Sequence, residues 1–264
     1  MTRVRVASYN TRDFLDDRRA AARVVRAIDP DILCLQEVPR RLGASRRVRR
    51  FAAECGLRWV GRHRGSGGTT IFVSDRVRLT SALHHRLPVR LLDRTRGYAV
   101  AHLAIPGWPP LTTVSLHLSL RPGERVLHAD AILAGIAAAP GAAIIAGDLN
   151  ELDDGPAYGR FASPLRVVSP GRPTFPVCAP RLPLDVVFAT PDLRVVEGPE
   201  VVLEETDVRA ASDHRPVWVD LVPASPASGT AETSTATPTT CMTSTTSTTG
   251  TSTEPAPGQP SASD

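Results

Sequence analysis

The sequence predicts a layered α/β sandwich with mixed sheets. Three observations lead there. Residues 1–223 alternate strand-like and helix-like stretches. Strands outnumber helices, which disfavours a purely parallel wound sheet, where each strand needs its own crossover helix. Polar groups suited to chemistry fall both at the ends and at the starts of apolar strands, so strands must run in both directions to bring them together.

The elements follow in order. Val4, Val6 and Ser8 alternate as in a strand. Arg18 to Ile28 has helical periodicity and stops at Asp29-Pro30, where proline cannot continue the turn. Ile32 to Gln36 is a short apolar run, read as a buried strand. Ser45 to Cys55 is a second amphipathic helix. Strands are expected at 57–62, 69–74, 79–87, 97–105 and 110–118, with a turn at Gly65–Gly68. Glu124 to Ala138 reads as a third helix and Ala142 to Ala146 as a buried strand. The last third is rich in loops, with strands expected at 184–189, 193–203 and 216–222. No internal repeat is present.

Composition changes after Pro223. From Ala224 to Asp264 nearly every residue is Thr, Ser, Pro, Ala or Gly, too little apolar surface to offset the entropy of ordering. The expected organisation is one domain, 1–223, and a disordered Thr/Ser/Pro-rich tail, 224–264.

Bulk properties exclude several functions. The apolar fraction of 42% supports a real core. All 31 basic side chains are Arg, and there is no Lys. A phosphate loop ending in Gly-Lys and a Schiff-base lysine are therefore excluded. The four cysteines, Cys34, Cys55, Cys178 and Cys241, lack metal-ligand spacing. No apolar run nears the roughly 20 residues of a membrane span, and no leader pattern precedes the first strand. A soluble, cytoplasmic monomer without stable membrane insertion is expected. Residues 1–100 hold 22 Arg against 9 acids, an asymmetry that can steer a polyanion. Arg46, Arg47, Arg49 and Arg50 spread over about half a helix circumference, as a polyanion contact or a solvated face.

The chemistry sits at strand edges. Asn10 follows the first strand, Glu37 the second, and His117 closes the strand from Leu111. Asp148 and Asn150 follow Ile144-Ile145-Ala146-Gly147. Carboxyl ends of strands are where open α/β sheets gather ligands. Asp185 and the Asp213-His214 pair instead sit at strand starts, so 184–189 and 216–222 must run antiparallel to the first group. In an extended backbone Asp148 and Asn150, two apart, share a face. Gly147 lets backbone come close. Glu37, Asn10 and Asp213 offer hard oxygen donors that favour Mg²⁺ or Mn²⁺ over zinc. Asp185, between Leu184 and Val186, calls for a buried partner, and His214 can be held by it in one tautomer. Taken singly, an Asp-x-Asn after a strand is a turn or cap, and an Asp-His before proline is a loop. Taken jointly, they point to a metal-dependent phosphoesterase.

The ordered phrases Ser-Tyr-Asn (8–10), Leu-Gln-Glu-Val (35–38), Ser-Leu-His-Leu (115–118), Gly-Asp-Leu-Asn (147–150), Leu-Asp-Val-Val (184–187) and Ser-Asp-His-Arg-Pro (212–216) resemble the endonuclease/exonuclease/phosphatase superfamily over residues 3–222. The resemblance implies a four-layered α/β sandwich, two mixed β-sheets face to face with helices outside. It implies Mg²⁺ or Mn²⁺ held by Asn10, Glu37 and Asp213. It implies that Asp148 orients or deprotonates water, that Asn150 and His117 contact the phosphate, and that Asp185 and His214 form a dyad. The expected substrate is a nucleic acid or another phosphoester, with a nuclease first and a phosphatase or phospholipid esterase as alternatives. Two departures stand out. Pro183-Leu184-Asp185 lacks the arginine common in relatives, and residues 66–72 lack the tyrosine or acid that supports the equivalent of His117. Arg125 and His128 are expected to face solvent, and His84-His85 to be surface residues. No Gly-x-Ser-x-Gly elbow of a serine hydrolase is present. A non-catalytic module would have lost one of the ligating residues, and all are kept.

Overall fold

The central strands carry side chains buried on both faces, so each sheet must be covered twice. In the computed structural model, which describes residues 2–61, 65–91 and 93–224, this is what happens. The elements run β1 (Val4–Asn10), α1 (Arg18–Ile28), β2 (Ile32–Gln36), α2 (Ala44–Cys55), β3 (Arg58–Trp59), β4 (Thr70–Val73), β5 (Arg78–Leu87), β6 (Arg96–Ala104), β7 (Leu111–His117), α3 (Pro122–Ile136), β8 (Ala142–Asp148), α4 (Pro156–Ala162), β9 (Arg166–Val167), β10 (Asp185–Ala189), β11 (Leu193–Val196), α5 (Glu205–Ala211) and β12 (Val217–Pro223). Among the described residues they form two mixed six-stranded sheets, ordered β11-β12-β1-β2-β4-β3 and β5-β6-β7-β8-β10-β9.

Three apolar cores account for the layering. Val4, Val6, Ile32 and Ile71 of the first sheet meet Ala99, Ala101, Ile144 and Val187 of the second. The opposite faces carry Ala7, Tyr9, Leu33 and Leu35 under α1, α2 and α5. Val114, Leu116, Ile145 and Phe188 lie under α3 and α4. Helices therefore flank two sheets packed face to face, as expected.

Strand direction follows the functional prediction. β1 and β2 are parallel, as are β7 and β8. β12 is antiparallel to β1 and β10 is antiparallel to β8. The carboxyl ends of the first four and the starts of β10 and β12 therefore lie at one end of the sandwich. Gly147 is required where β8 meets β7. Its φ is +157°, and a Cβ there would lie 2.1 Å from the Leu116 carbonyl oxygen.

Several boundaries differ from the sequence reading. α1 matches, because Asp17 caps it by accepting from the Arg19 and Ala20 amides. α3 starts at Pro122, in the first turn where proline is tolerated, and ends at Ile136. The strand expected over 193–203 stops at Val196. Pro199 has no amide hydrogen for a ladder. α4 and α5 were not foreseen, because seven residues are too short to display a period of 3.6. His128 is buried rather than solvated, with Nε2 2.6 Å from the Pro88 carbonyl. Arg125 donates to buried Glu151 at 2.8 Å. His85 is half-buried and stacks on Tyr98. The chain divides into units Met1–Pro226 and Ala227–Asp264. The expected tail and Cys241 lie outside the described residues, save Ala224. No helix of the described residues is long and apolar enough to cross a membrane.

Candidate active site

Four strand ends and two strand starts meet around Asp148. Register places Asp148 opposite His117 of β7 on one side and Asp185 of β10 on the other. Asn10 reaches across from the first sheet and donates its amide to Asp148 Oδ2 at 3.0 Å. His117 Nε2 lies 3.4 Å from the same oxygen, and His214 Nε2 lies 3.8 Å away. His214 Nδ1 is 2.8 Å from Asp185 Oδ2. All five side chains are buried, so these charges act on one another with little screening.

Local chain geometry fixes each of them. Ser212 donates to the Asn10 carbonyl at 2.7 Å, and the His214 amide donates to Ser212 Oγ at 3.3 Å. The Ser-Asp-His segment is thereby tied to the end of β1. Phe175 packs its ring 4.8 Å from the His214 imidazole. Asn150 does not continue the strand as the alternation argument assumed. Its φ is +50°, its amide donates to Asp148 Oδ1 at 2.9 Å, and its side-chain amide donates to the Leu118 carbonyl at 3.0 Å. It sits beside Asp148 through a turn, and among the described residues only one of its two side-chain N–H groups is engaged.

Glu37 and Asp213 lie at the open side. Glu37, at φ +50°, is half-buried, and Arg94 Nη1 is 3.6 Å from its Oε2. Arg12 Nε is 3.4 Å from Asp213 Oδ2. Asn10 Oδ1 accepts from the Arg12 amide at 3.1 Å.

Residues 66–72 hold no tyrosine or acid to support His117. The structure supplies Arg96, the first residue of β6, whose Nη1 is 3.4 Å from His117 Nδ1. The available signal was an arginine opening the strand beside the one that ends in His117. A guanidinium only donates, so Nδ1 must accept and the ring proton sits on Nε2, toward Asp148. Burial, then the charges of Arg96, His214, Arg94 and Arg40, hold the His117 pKa well below its usual value. It is a neutral donor near pH 7.

The other two titrating groups shift the opposite way. Burial raises Asp148, and the Asp185 charge raises it further. The His214 charge, the Asn150 amide and Asn10 only partly offset this. For His214, burial favours the neutral ring, but the Asp185 charge and hydrogen bond, with Asp148 and Asp213, outweigh it and raise the pKa to about 9. His214 is therefore an imidazolium at neutral pH. A raised folded-state pKa contributes stability that is complete below about 6.5 and is lost as pH rises through 9. In chelator, the stability gap between wild type and His214→Gln should shrink by roughly 3 kcal/mol between pH 6 and pH 10. Urea unfolding curves across that range check it, and a constant gap would contradict the imidazolium assignment.

Two groups of donors can be weighed for a cation. Asp148, Asp185 and His214 place ligand atoms within 4.8 Å of one another. There the imidazolium already offsets the charge of one of the two carboxylates. Asn10, Glu37 and Asp213 offer oxygen ligands; half-exposed Arg94 and Arg12 face the Glu37 and Asp213 carboxylates, and Ser212 Oγ lies 3.4 Å from Asp213 Oδ1. Oxygen donors of this kind are the type that hard divalent ions favour.

The sequence profile of the endonuclease/exonuclease/phosphatase family matches residues 7–214. The chain belongs to this family. Among curated proteins none matches the sequence. Solved structures with the same fold include the family member from Beutenbergia cavernae, at 22% identity and TM-score 0.66, covering 85% of this chain and 72% of that one. The mannosyl-6-phosphatase of Bacteroides thetaiotaomicron aligns at 19% identity and TM-score 0.65, covering 83% and 99%. The catalytic domain of human nocturnin, solved with bound sulfate, aligns at 19% identity and TM-score 0.62, covering 84% and 94%. At such identities the likeness concerns the fold.

Proposed function

We propose that this family member hydrolyses a phosphoester bond by direct in-line attack of water, with Mg²⁺ or Mn²⁺ bound. The observation that carries the reading is the convergence on one buried carboxylate, Asp148, of Asn10, His117 and the Asp185–His214 pair from two sheets. Asp148, raised by its surroundings, is a base matched to neutral pH. It removes a proton from water as the water oxygen bonds to phosphorus. The opposite P–O bond breaks, its electron pair leaves with the departing oxygen, and that oxygen takes a proton from solvent. His214, held charged by Asp185, faces the negative charge that develops on the phosphoryl oxygens. His117 Nε2–H and the free N–H of Asn150 orient the phosphate. A divalent ion held by Asn10, Glu37 and Asp213 would neutralise phosphoryl charge.

A nucleic-acid phosphodiester draws its support from the excess of Arg in residues 1–100. The α2 arginines add little to it. Arg47 donates to the carbonyls of Asp13 and Phe14, and Arg50 pairs with Glu54 at 3.0 Å. The test uses bis- and mono-nitrophenyl phosphate, plasmid DNA, RNA and sphingomyelin, each with Mg²⁺, Mn²⁺ or EDTA. The expected result is turnover of at least one phosphoester that EDTA abolishes and Mg²⁺ or Mn²⁺ restores. Turnover indifferent to chelator, or none on any substrate, overturns the reading.

A further inference from the structure

The loops at the catalytic end expose leucines. Leu42, after β2, has a relative exposure of 105%, Leu91, between β5 and β6, 87%, and Leu120, just after His117, 72%. Leu182, on the loop that leads into Asp185, is 38% exposed. Each stands next to an exposed arginine in the chain: Arg41, Arg90, Arg121 and Arg181. Arg121 is paired with Asp93 at 2.6 Å. Arg41 and Arg181 make no ion pair among the described residues, and Arg90 acts on Asp93 only at longer range.

These loops form a rim and are not scattered. Arg40 Nη1 donates to Thr95 Oγ1 at 2.6 Å, Arg94 reaches Glu37 at 3.6 Å, and Arg121 reaches Asp93. The loops bearing Leu42, Leu91 and Leu120 are thereby joined on the His117 side of the site. On the other side Leu182 is bridged to Phe175, whose ring lies against His214. Leu15 and Leu152 also emerge at this end, each next to an aspartate, Asp16 and Asp153.

We propose that this rim is an interfacial surface that seats the active site on an anionic phospholipid bilayer. The proposal deepens, and rests on, the phosphoesterase reading: the ester it implies is presented by a lipid. Exposed aliphatic side chains on loops that also carry exposed arginines match the boundary between head groups and acyl chains, where leucines bury and arginines meet phosphate. Single-stranded nucleic acid would instead call for exposed aromatic rings on which bases stack. Among the described residues the exposed large apolar side chains are all leucine or valine.

The full-length protein is sedimented with phosphatidylcholine vesicles, with and without phosphatidylglycerol, at physiological ionic strength and in chelator. The expected result is co-sedimentation with the anionic vesicles. The combined Leu42→Ser, Leu91→Ser and Leu182→Ser variant should lose about a thousandfold of that affinity, since each buried leucine supplies about tenfold and the factors multiply. Its melting temperature and its turnover of soluble bis-nitrophenyl phosphate should be unchanged. The combined Arg41→Gln, Arg90→Gln and Arg181→Gln variant should lose the preference for anionic vesicles. Wild-type protein that stays in the supernatant overturns the proposal. So does a leucine variant that binds vesicles like wild type, or a DNA fragment that binds more tightly than vesicles and indifferently to the leucines. Leucine-dependent vesicle binding by a protein that hydrolyses no phosphoester would uphold the surface while removing the catalytic reading.

Discussion

Asp148→Asn should lower turnover of bis-nitrophenyl phosphate by at least about a hundredfold and leave the fold intact. The geometry gives both halves of that expectation. Asn10, His117 and His214 converge on Oδ2, and Asn150 donates to Oδ1, so the carboxylate is the common partner of every polar group at the centre. An asparagine of the same shape keeps one acceptor oxygen and removes the only group there able to take a proton at neutral pH. It also removes a charge whose burial is unfavourable, as the raised pKa of Asp148 records. The new amide N–H must face one of the groups that donate to the carboxylate, so the gain from losing the buried charge is offset and stability should change little. Urea unfolding and initial rates, measured on the same preparation, separate the two effects. A drop of only a few fold would place the proton acceptor elsewhere, with the His214–Asp185 pair next in line. His214→Ala should cost a similar factor, because it removes the imidazolium and leaves Asp185 buried without its partner. Asp185 Oδ1 already has no hydrogen-bond partner, so this second variant should also be measurably less stable.

The strand ends of the site were legible in the sequence because they obey a strict rule. Asn10, Glu37, His117 and Asp148 each follow an apolar run, and parallel strands put such positions on one edge. The antiparallel direction of β10 and β12 followed from requiring Asp185 and His214 to reach that edge. Asn150 was read correctly as a neighbour of Asp148 but for the wrong reason, because a left-handed residue leaves no mark on periodicity. Arg96 was legible only as an arginine opening a strand, not as the neighbour of His117. Its partnership with His117 joins residues on adjacent strands, and register across β6 and β7 depends on how a long hairpin closes. Burial of His128 was hidden for a similar reason. Its partner is the carbonyl of Pro88, contributed by a loop forty residues away in sequence.

At the far end of the first sheet, Asp220→Ala should destabilise the domain by about 3–5 kcal/mol. Arg5 and Asp220 are register partners on β1 and β12, and both are buried. Arg5 Nη2 lies 2.8 Å from Asp220 Oδ2 and Nε lies 3.1 Å from Oδ1, a two-pronged pair. The remaining donors are also used: Nη1 meets the Ile28 carbonyl and Nη2 the Pro199 carbonyl, each at 2.8 Å. Arg3 adds a second guanidinium to Asp220. Gly198 makes the close approach possible, since a Cβ there would lie 1.8 Å from Asp220 Oδ2. Removing the carboxylate leaves the Arg5 cation in a low-dielectric setting with two neutral carbonyls and no counter-charge. Against a typical total stability of about 5–15 kcal/mol, the loss would be visible as a large shift in urea midpoint. Removing both partners tests whether the loss comes from the stranded charge. Arg5→Met with Asp220→Leu should recover most of it, because apolar residues of similar volume leave nothing unpaired. Both substitutions lie toward the opposite end of the strands from Asn10 and Val217. Turnover per folded molecule should therefore remain that of the wild type in either variant. A loss below about 1 kcal/mol for Asp220→Ala would mean that water or Asp31 compensates Arg5 once its partner is gone.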